Sequence, residues 1–177
     1  MAWEHDLFAL LDDLEAQAEA AFDAERGDEL ADRSRAEYAT VSWASRLMAS
    51  VGRTVTVSVT GVGPLTGRLA RVGEGWALLA GAGQDWMVPW SAVQVLEGAS
   101  TRSVPELAWS PVSRLGLGSA LRRLAETDRA CLVHLRDESR LEARVTRVGR
   151  DFVELVVGEG REVLVPFDRL AAVSSRD

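Results

Sequence analysis

Lysine is absent from this 177-residue sequence, which contains only one cysteine and two histidines. The single cysteine, Cys131, excludes an internal disulfide and any zinc site built from cysteines. No apolar run is long enough to cross a bilayer, and the acidic N-terminal segment is unlike a secretory signal, so we expect a cytoplasmic protein. No residue spacing matches a metal site, a Ser-His-Asp set or a phosphate loop. We therefore expect neither an enzyme nor a bound cofactor.

Positive charge comes from arginine alone and is unevenly distributed. Residues 1–40 contain 12 acidic and 3 basic side chains, a net charge of −9, whereas residues 41–177 contain 15 acidic and 17 basic side chains. The acidic segment should repel nucleic acid, and the nearly neutral remainder should attract it only weakly. Composition alone therefore gives no indication of a nucleic-acid-binding protein.

The sequence contains an internal repeat. The segment RLARVGEGWALL, which begins at Arg68, has a near-copy in RVTRVGRDFVEL, which begins at Arg144. The alignment pairs residues 71–73 with 147–149, Trp76 with Phe152 and, after a one-residue shift, residues 88–90 with 165–167. Agreement at so many ordered positions predicts a duplicated unit, over residues 52–98 and 128–173.

Each copy has the pattern of five short strands. Apolar residues alternate with other residues from Val55 to Val59 and again from Cys131 to Leu135. A glycine turn, a glycine-containing hairpin and a fourth strand that ends at proline follow in both copies. Five such strands predict a small closed barrel, because closure removes exposed strand edges. A helical segment precedes each predicted barrel.

With a helix ahead of five bent strands, each copy resembles the Sm-like (LSm, Hfq-type) branch of the SH3-like small barrels, over residues 40–98 and 111–174. The resemblance implies an α+β fold with two tandem five-stranded barrels. Residues 1–50 would form an acidic helical arm leading into the first barrel's helix, 51–98 the first barrel, 99–127 a linker and helix, and 128–174 the second barrel. The residues by which Sm-like proteins grip RNA have no match here, since only Asp151 fits the first loop and its counterpart is Gly75.

Apolar residues also mark candidate interfaces. Residues 2–24 have the stripe of an amphipathic helix, which would pack on the protein's own barrels or on a second chain. The arm is also similar to that of actinobacterial proteins labelled as Fis-type regulators, but the sequence contains no helix-turn-helix with a basic recognition helix. The strand that carries Trp86 is apolar on both faces, so its outer side must also be buried. The interface candidates are Trp3, Leu7, Leu14, Trp86, Trp90 and Phe167.

Cys131 and His134 are the two residues of the second copy whose side chains could act as a nucleophile and as a general base, respectively. Cys131 alternates in phase with the core positions of its strand, which predicts a buried thiol and not a nucleophile. His134 has the opposite phase and aligns with Ser58, so we expect a surface strand residue. A general base or ligand is the alternative reading of His134.

Arginine is concentrated between residues 102 and 150, where 10 arginines accompany 6 acidic residues. These arginines could form a phosphate-binding patch, or a solvated face neutralised by Glu126, Asp128, Glu142 or the acidic arm. The candidates for an anion or nucleic-acid patch are Arg122, Arg123, Arg140, Arg144, Arg147 and Arg150.

Together these observations predict a non-catalytic binding or adaptor protein that recognises a protein partner or self-associates. The alternative is an RNA- or DNA-binding regulator that uses the arginine-rich face of the second copy and is modulated by the acidic arm. Neither reading involves a metal or a membrane.

Overall fold

The computed structural model describes Gln17, Arg26 and residues 33–175. The chain divides into two compact units, residues 1–41 and residues 42–177. In the first unit, Gln17, Arg26 and residues 33–39 are helical. The interface candidates Trp3, Leu7 and Leu14 lie outside the described residues.

The second unit contains two short α-helices and ten β-strands within residues 42–175. Helix α1 spans Trp43–Met48 and helix α2 spans Leu117–Ala125. The strands of the first copy are β1 (Thr54–Val59), β2 (Gly63–Gly73), β3 (Trp76–Ala80), β4 (Asp85–Pro89) and β5 (Val93–Glu97). Those of the second copy are β6 (Ala130–Leu135), β7 (Arg140–Val148), β8 (Phe152–Val157), β9 (Arg161–Pro166) and β10 (Leu170–Ser175). No helix in the described part of the chain is long and apolar enough to cross a membrane.

All ten strands belong to one antiparallel sheet, in the order β5-β1-β2-β3-β4-β10-β6-β7-β8-β9. Strands β4 and β10 join the two copies, with Met87 opposite Val173 and Trp86 opposite Ser174. The prediction of an α+β fold with two separate five-stranded barrels is therefore wrong: the fold is mostly β, with a single sheet. The pairing of β4 with β10 explains the difference, since backbone groups that could close each barrel bond the other copy instead.

The duplication is visible in the bends of the sheet. Strand β2 shifts register against β3 between Leu69 and Arg71, and β7 shifts against β8 between Val145 and Arg147. These irregularities fall at aligned positions of the two copies, and a bulge of this kind bends a strand and increases its twist. Both copies therefore fold their second strand in the same way.

The apolar residues form two cores, one for each copy. The first core includes Leu47 of α1 and Val57 of β1, and the second includes Leu121 of α2 and Val133 of β6. The strands at the junction contribute to the core of the other copy: Ala172 of β10 lies in the first core, and Met87 of β4 packs against the second. The junction between the copies is thus packed as well as hydrogen-bonded.

Candidate binding groove

A groove of about 940 Å³ lies between the sheet and the linker that connects the two copies. The sheet contributes side chains from β2, β3 and β4, the linker contributes the segment around Val112, and α2 contributes its exposed side. The apolar residues that line the groove are Met48, Val51, Ala70, Val72, Trp76, Leu78, Met87, Val112, Leu115, Ala120 and Leu124.

Hydrogen bonds to one carbonyl hold the linker against the sheet. The oxygen of Leu115 accepts a bond of 2.8 Å from the Trp76 indole Nε1 and another of 3.1 Å from the Glu74 amide. The short 3-10 helix Pro111–Arg114 precedes this point, and the Ser110 hydroxyl caps it by accepting a bond from the Ser113 amide. The linker wall of the groove is therefore anchored to β3.

Several groove residues expose large apolar side chains to solvent. Val51, Val112 and Leu115 are between 43% and 56% exposed. Scattered surface apolar residues are ordinary, but their convergence in one concave surface is typical of a binding site. Sequence reasoning missed this site, because its only sign was a series of apolar residues in a linker rich in serine and proline.

The polar groups in the groove have little catalytic potential. They are the side chains of Arg71 and Arg123 and four hydroxyls, those of Ser110, Ser113, Ser119 and Thr127. The Arg123 guanidinium donates a hydrogen bond to the Glu126 carboxylate, and this bond raises the pKa of Arg123. No cluster of acidic, histidine or cysteine side chains among the described residues could hold a metal ion. The groove is suited to binding apolar surface, with the exposed Arg71 beside it to bind a carboxylate.

His134 is buried, with 2% of its surface exposed, so the prediction of a surface residue is wrong. Strand β10 covers it: Nε2 lies 3.2 Å from the Ser174 hydroxyl, and the Trp86 ring centroid lies 4.9 Å from that of the imidazole. Burial lowers the pKa of His134, and the positive charge of Arg140 lowers it further. His134 is therefore part of the junction between the copies.

The predicted core position of Cys131 is confirmed. The thiol is buried in the second core and donates a hydrogen bond of 3.4 Å to the Ala143 carbonyl. Burial raises the pKa of this thiol to about 11. Because the thiolate is the reactive form, Cys131 is protected from reaction both by its protonation and by its position.

The arginines of the predicted anion patch are distributed over α2, β7 and the turn after β7. Arg140 begins β7, whereas Arg147 lies near the other end of that strand, after the register shift. Arg122 donates a bond of 3.5 Å to the Gly149 carbonyl, close to Arg150 in the turn after β7. The remaining contacts are ion pairs: Arg123 with Glu126, Arg144 with Asp128 at 3.5 Å, and Arg147 with Glu154 at 3.7 Å.

The three aromatic interface candidates within the described residues are all half-buried. Trp86 lies at the junction, opposite Ser174, and its ring packs against the imidazole of His134 in the second copy. Trp90 and Phe167 occupy aligned 3-10 turns and pack against the first and second cores, respectively. Their amides donate to aligned loops, Trp90 to the Gly75 carbonyl and Phe167 to that of Asp151.

The chain matches no protein-family model, and no curated protein is similar to it in sequence. The resemblance to Sm-like small barrels therefore stays a prediction from the sequence.

Proposed function

We propose that this chain is a non-catalytic binding protein whose groove receives an apolar segment of a partner protein. The observation that carries this proposal is the convergence of exposed apolar side chains, Val51, Val112 and Leu115, in a groove of about 940 Å³. Leaving such surface in water is unfavourable by about 25 cal/mol for each Å². A partner that covers it recovers this free energy.

The exposure of these side chains favours a peptide segment over a small enclosed ligand. Small-ligand sites bury most of the ligand surface, whereas an amphipathic helix needs only one apolar face covered. The exposed side chain of Arg71 lines the same groove and is suited to a carboxylate on the polar face of such a helix. The proposed partner is thus an amphipathic helix with acidic residues beside its apolar stripe.

Site-specific photocrosslinking in the source cells tests this proposal. A photoreactive residue replaces Val112 in the groove, and a matched control replaces Leu107, which is 94% exposed and lies outside the groove. We expect one defined protein crosslinked from position 112 and none from position 107. The purified partner should then lose at least tenfold in affinity for Val112→Asp and keep its affinity for Leu107→Asp. Equal crosslinking from both positions, or a small molecule as the adduct, would overturn the proposal.

The alternative, an RNA- or DNA-binding regulator, has weaker support. Carboxylates pair with Arg123, Arg144 and Arg147, which lowers the charge available to phosphates. Titration of the full chain with RNA and DNA at low and moderate salt distinguishes the two functions, because phosphate contacts make binding strongly salt-dependent. Salt-sensitive binding that Arg150→Ala weakens would favour the regulator.

A further inference from the structure

A second cleft, of about 720 Å³, lies where a turn of the first copy meets a turn of the second, and it is mainly polar. The first copy contributes the turn between β1 and β2, residues 60–63, and the side chain of Gln94 on β5. The second copy contributes Glu138, from the turn between β6 and β7, and Arg140 at the start of β7. Its volume is within the range of small-ligand sites, about 300–1,000 Å³.

Backbone contacts hold the two turns together. Gly61 has a φ of +74°, and a Cβ at this position would lie 2.9 Å from the backbone of Arg136 and closer still to the Leu135 oxygen. Only glycine allows this approach. The Arg136 guanidinium donates a hydrogen bond of 2.7 Å to the Ser91 hydroxyl of the first copy. The shape of the cleft is therefore set by the fold, and a pre-formed site lowers the entropic cost of binding a ligand.

A β-bulge places Gln94 at the cleft. Ser58 pairs with Val95 and Val59 pairs with Val93, so Gln94 is the extra residue on β5. Bulges of this kind change the direction of a side chain and are frequent beside functional sites. The exposed Gln94 amide can both donate and accept hydrogen bonds, which makes it suitable for recognising a polar ligand.

The turn between β6 and β7 contributes one carboxylate to the cleft. Asp137 accepts hydrogen bonds from the Ser139 amide, at 3.1 Å, and from the Ser139 hydroxyl, at 2.6 Å, so its carboxylate is engaged within the turn. The next residue, Glu138, has a φ of +70°, which is uncommon for a residue other than glycine. Backbone strain of this kind is concentrated at functional sites. Glu138 is therefore the carboxylate of this turn that lines the cleft.

The polar side chains of the cleft are available to a ligand. Those of Gln94, Glu138 and Arg140 form no hydrogen bond or ion pair with any residue that the structure describes, and Glu138 does not pair with Arg140. The fold does not require charges at these turn positions, since the repeat aligns Glu138 with Val62 and Arg140 with Pro64. The second copy thus brings two opposite charges to the cleft that the first copy lacks.

We propose that this cleft binds a free α-amino acid, with its carboxylate on Arg140 and its ammonium group on Glu138. A guanidinium binds a carboxylate through two parallel hydrogen bonds, and hydrogen bonds between charged groups are the strong ones. A simple anion would be repelled by Glu138 and a simple cation by Arg140, so the pair favours a ligand that carries both charges. The Gln94 amide and the backbone of residues 60–63 then contact the side chain of the amino acid.

A free amino acid fits this pair of charges better than a peptide does, because it carries its carboxylate and its ammonium group on one carbon. A peptide has these two groups at opposite ends. Amino-acid binding goes beyond the proposed function and does not depend on it. Val112 lines the apolar groove and not this cleft, so Val112→Asp should leave amino-acid binding unchanged.

Thermal unfolding of the full-length protein with each of the twenty L-amino acids at about 10 mM tests the proposal, since a ligand that binds only the folded state raises Tm. We expect at least one amino acid to raise Tm, and isothermal titration calorimetry then gives its affinity. Its α-amide lacks the carboxylate and its N-acetyl derivative lacks the ammonium group, so both should bind at least tenfold more weakly.

Substitutions test the assigned residues. Arg140→Leu and Glu138→Gly should each lower the affinity for the amino acid at least tenfold. Glycine readily adopts the positive φ of position 138, so Glu138→Gly should not lower the Tm of the ligand-free protein, whereas a purely structural role of this residue predicts that it would. Arg150→Leu is the matched control, because Arg150 is an exposed arginine of the second copy outside the cleft, and this variant should bind as the wild type does.

Three outcomes would overturn the proposal. The first is that no amino acid raises Tm. The second is that the α-amide, the N-acetyl derivative or inorganic phosphate binds as tightly as the amino acid, which would show that the cleft does not recognise both charges. The third is that Arg150→Leu loses as much affinity as Arg140→Leu, which would place the binding outside the cleft.

Discussion

Alanine substitution of two glycines should have opposite effects on stability. Neither Gly73 nor Gly118 has a positive φ, so backbone strain does not enter the comparison. At Gly73, an added Cβ would lie 2.8 Å from the Leu115 oxygen and closer still to the Trp76 indole. At Gly118, the nearest atoms would be 3.6 Å away, on the side chains of Arg122 and Phe167, which is an ordinary contact.

The loss of stability expected for Gly73→Ala follows from the atoms that the added Cβ must displace. Overpacking of a filled site costs about 1–3 kcal/mol. Displacing the indole also breaks its hydrogen bond to Leu115, which contributes about 0.5–1.5 kcal/mol. We expect Gly73→Ala to lower the free energy of unfolding by about 2–4 kcal/mol and Tm by roughly 10 °C. Gly118→Ala should raise the free energy of unfolding by about 0.5–1 kcal/mol, because alanine is the better helix former and has fewer unfolded conformations.

Urea and thermal unfolding followed by far-UV circular dichroism measures both variants against the wild type. A Gly73→Ala protein with the wild-type midpoint would refute the reasoning, because it would mean that the ring does not pack on the glycine. A loss of stability at Gly118 would show that α2 is packed more tightly than its contacts indicate.

Three further predictions concern buried side chains. Because burial lowers the pKa of His134, this side chain takes up a proton more readily in the unfolded chain than in the folded protein, so the free energy of unfolding should decrease below about pH 6.5. His134→Gln should therefore lose less stability than the wild type between pH 7.5 and pH 5. Equal losses for the two proteins, measured by urea denaturation, would contradict this prediction. Cys131, with a pKa of about 11, should resist a thiol reagent at pH 8 in the native protein and react rapidly in urea; native labelling at the unfolded rate would disprove its burial. Leu121→Ala removes a fully buried side chain from the second core and should lower the free energy of unfolding by about 2–5 kcal/mol, measured by urea denaturation. The exposed control Leu107→Ala should change it by less than about 0.5 kcal/mol. Similar losses of stability for the two variants would contradict the assignment of Leu121 to the core.

The sequence was sufficient for the order of strands within each copy and for the apolar face of β1, β2 and β7. Alternation is a local property, so it correctly assigned Cys131 to the core and placed the turns. The repeat, read as an alignment, also matched positions such as Trp90 and Phe167 that occupy the same turn in both copies. Neither the strand assignment nor the alignment of the repeat depends on which strands pair between the two copies.

Only the tertiary structure decided which strands pair between the copies. Backbone hydrogen bonds are the same for every residue, so β4 could have closed its own barrel or bonded β10, and no local pattern distinguishes these outcomes. The pairing with β10 buried His134, which alternation alone had assigned to the surface. It also left β5 and β9 unpaired. The groove arose in the same way, because a bond between Trp76 and Leu115, 39 residues apart, brings the linker onto the sheet. Local sequence determines which faces are apolar, and long-range contacts determine what covers them.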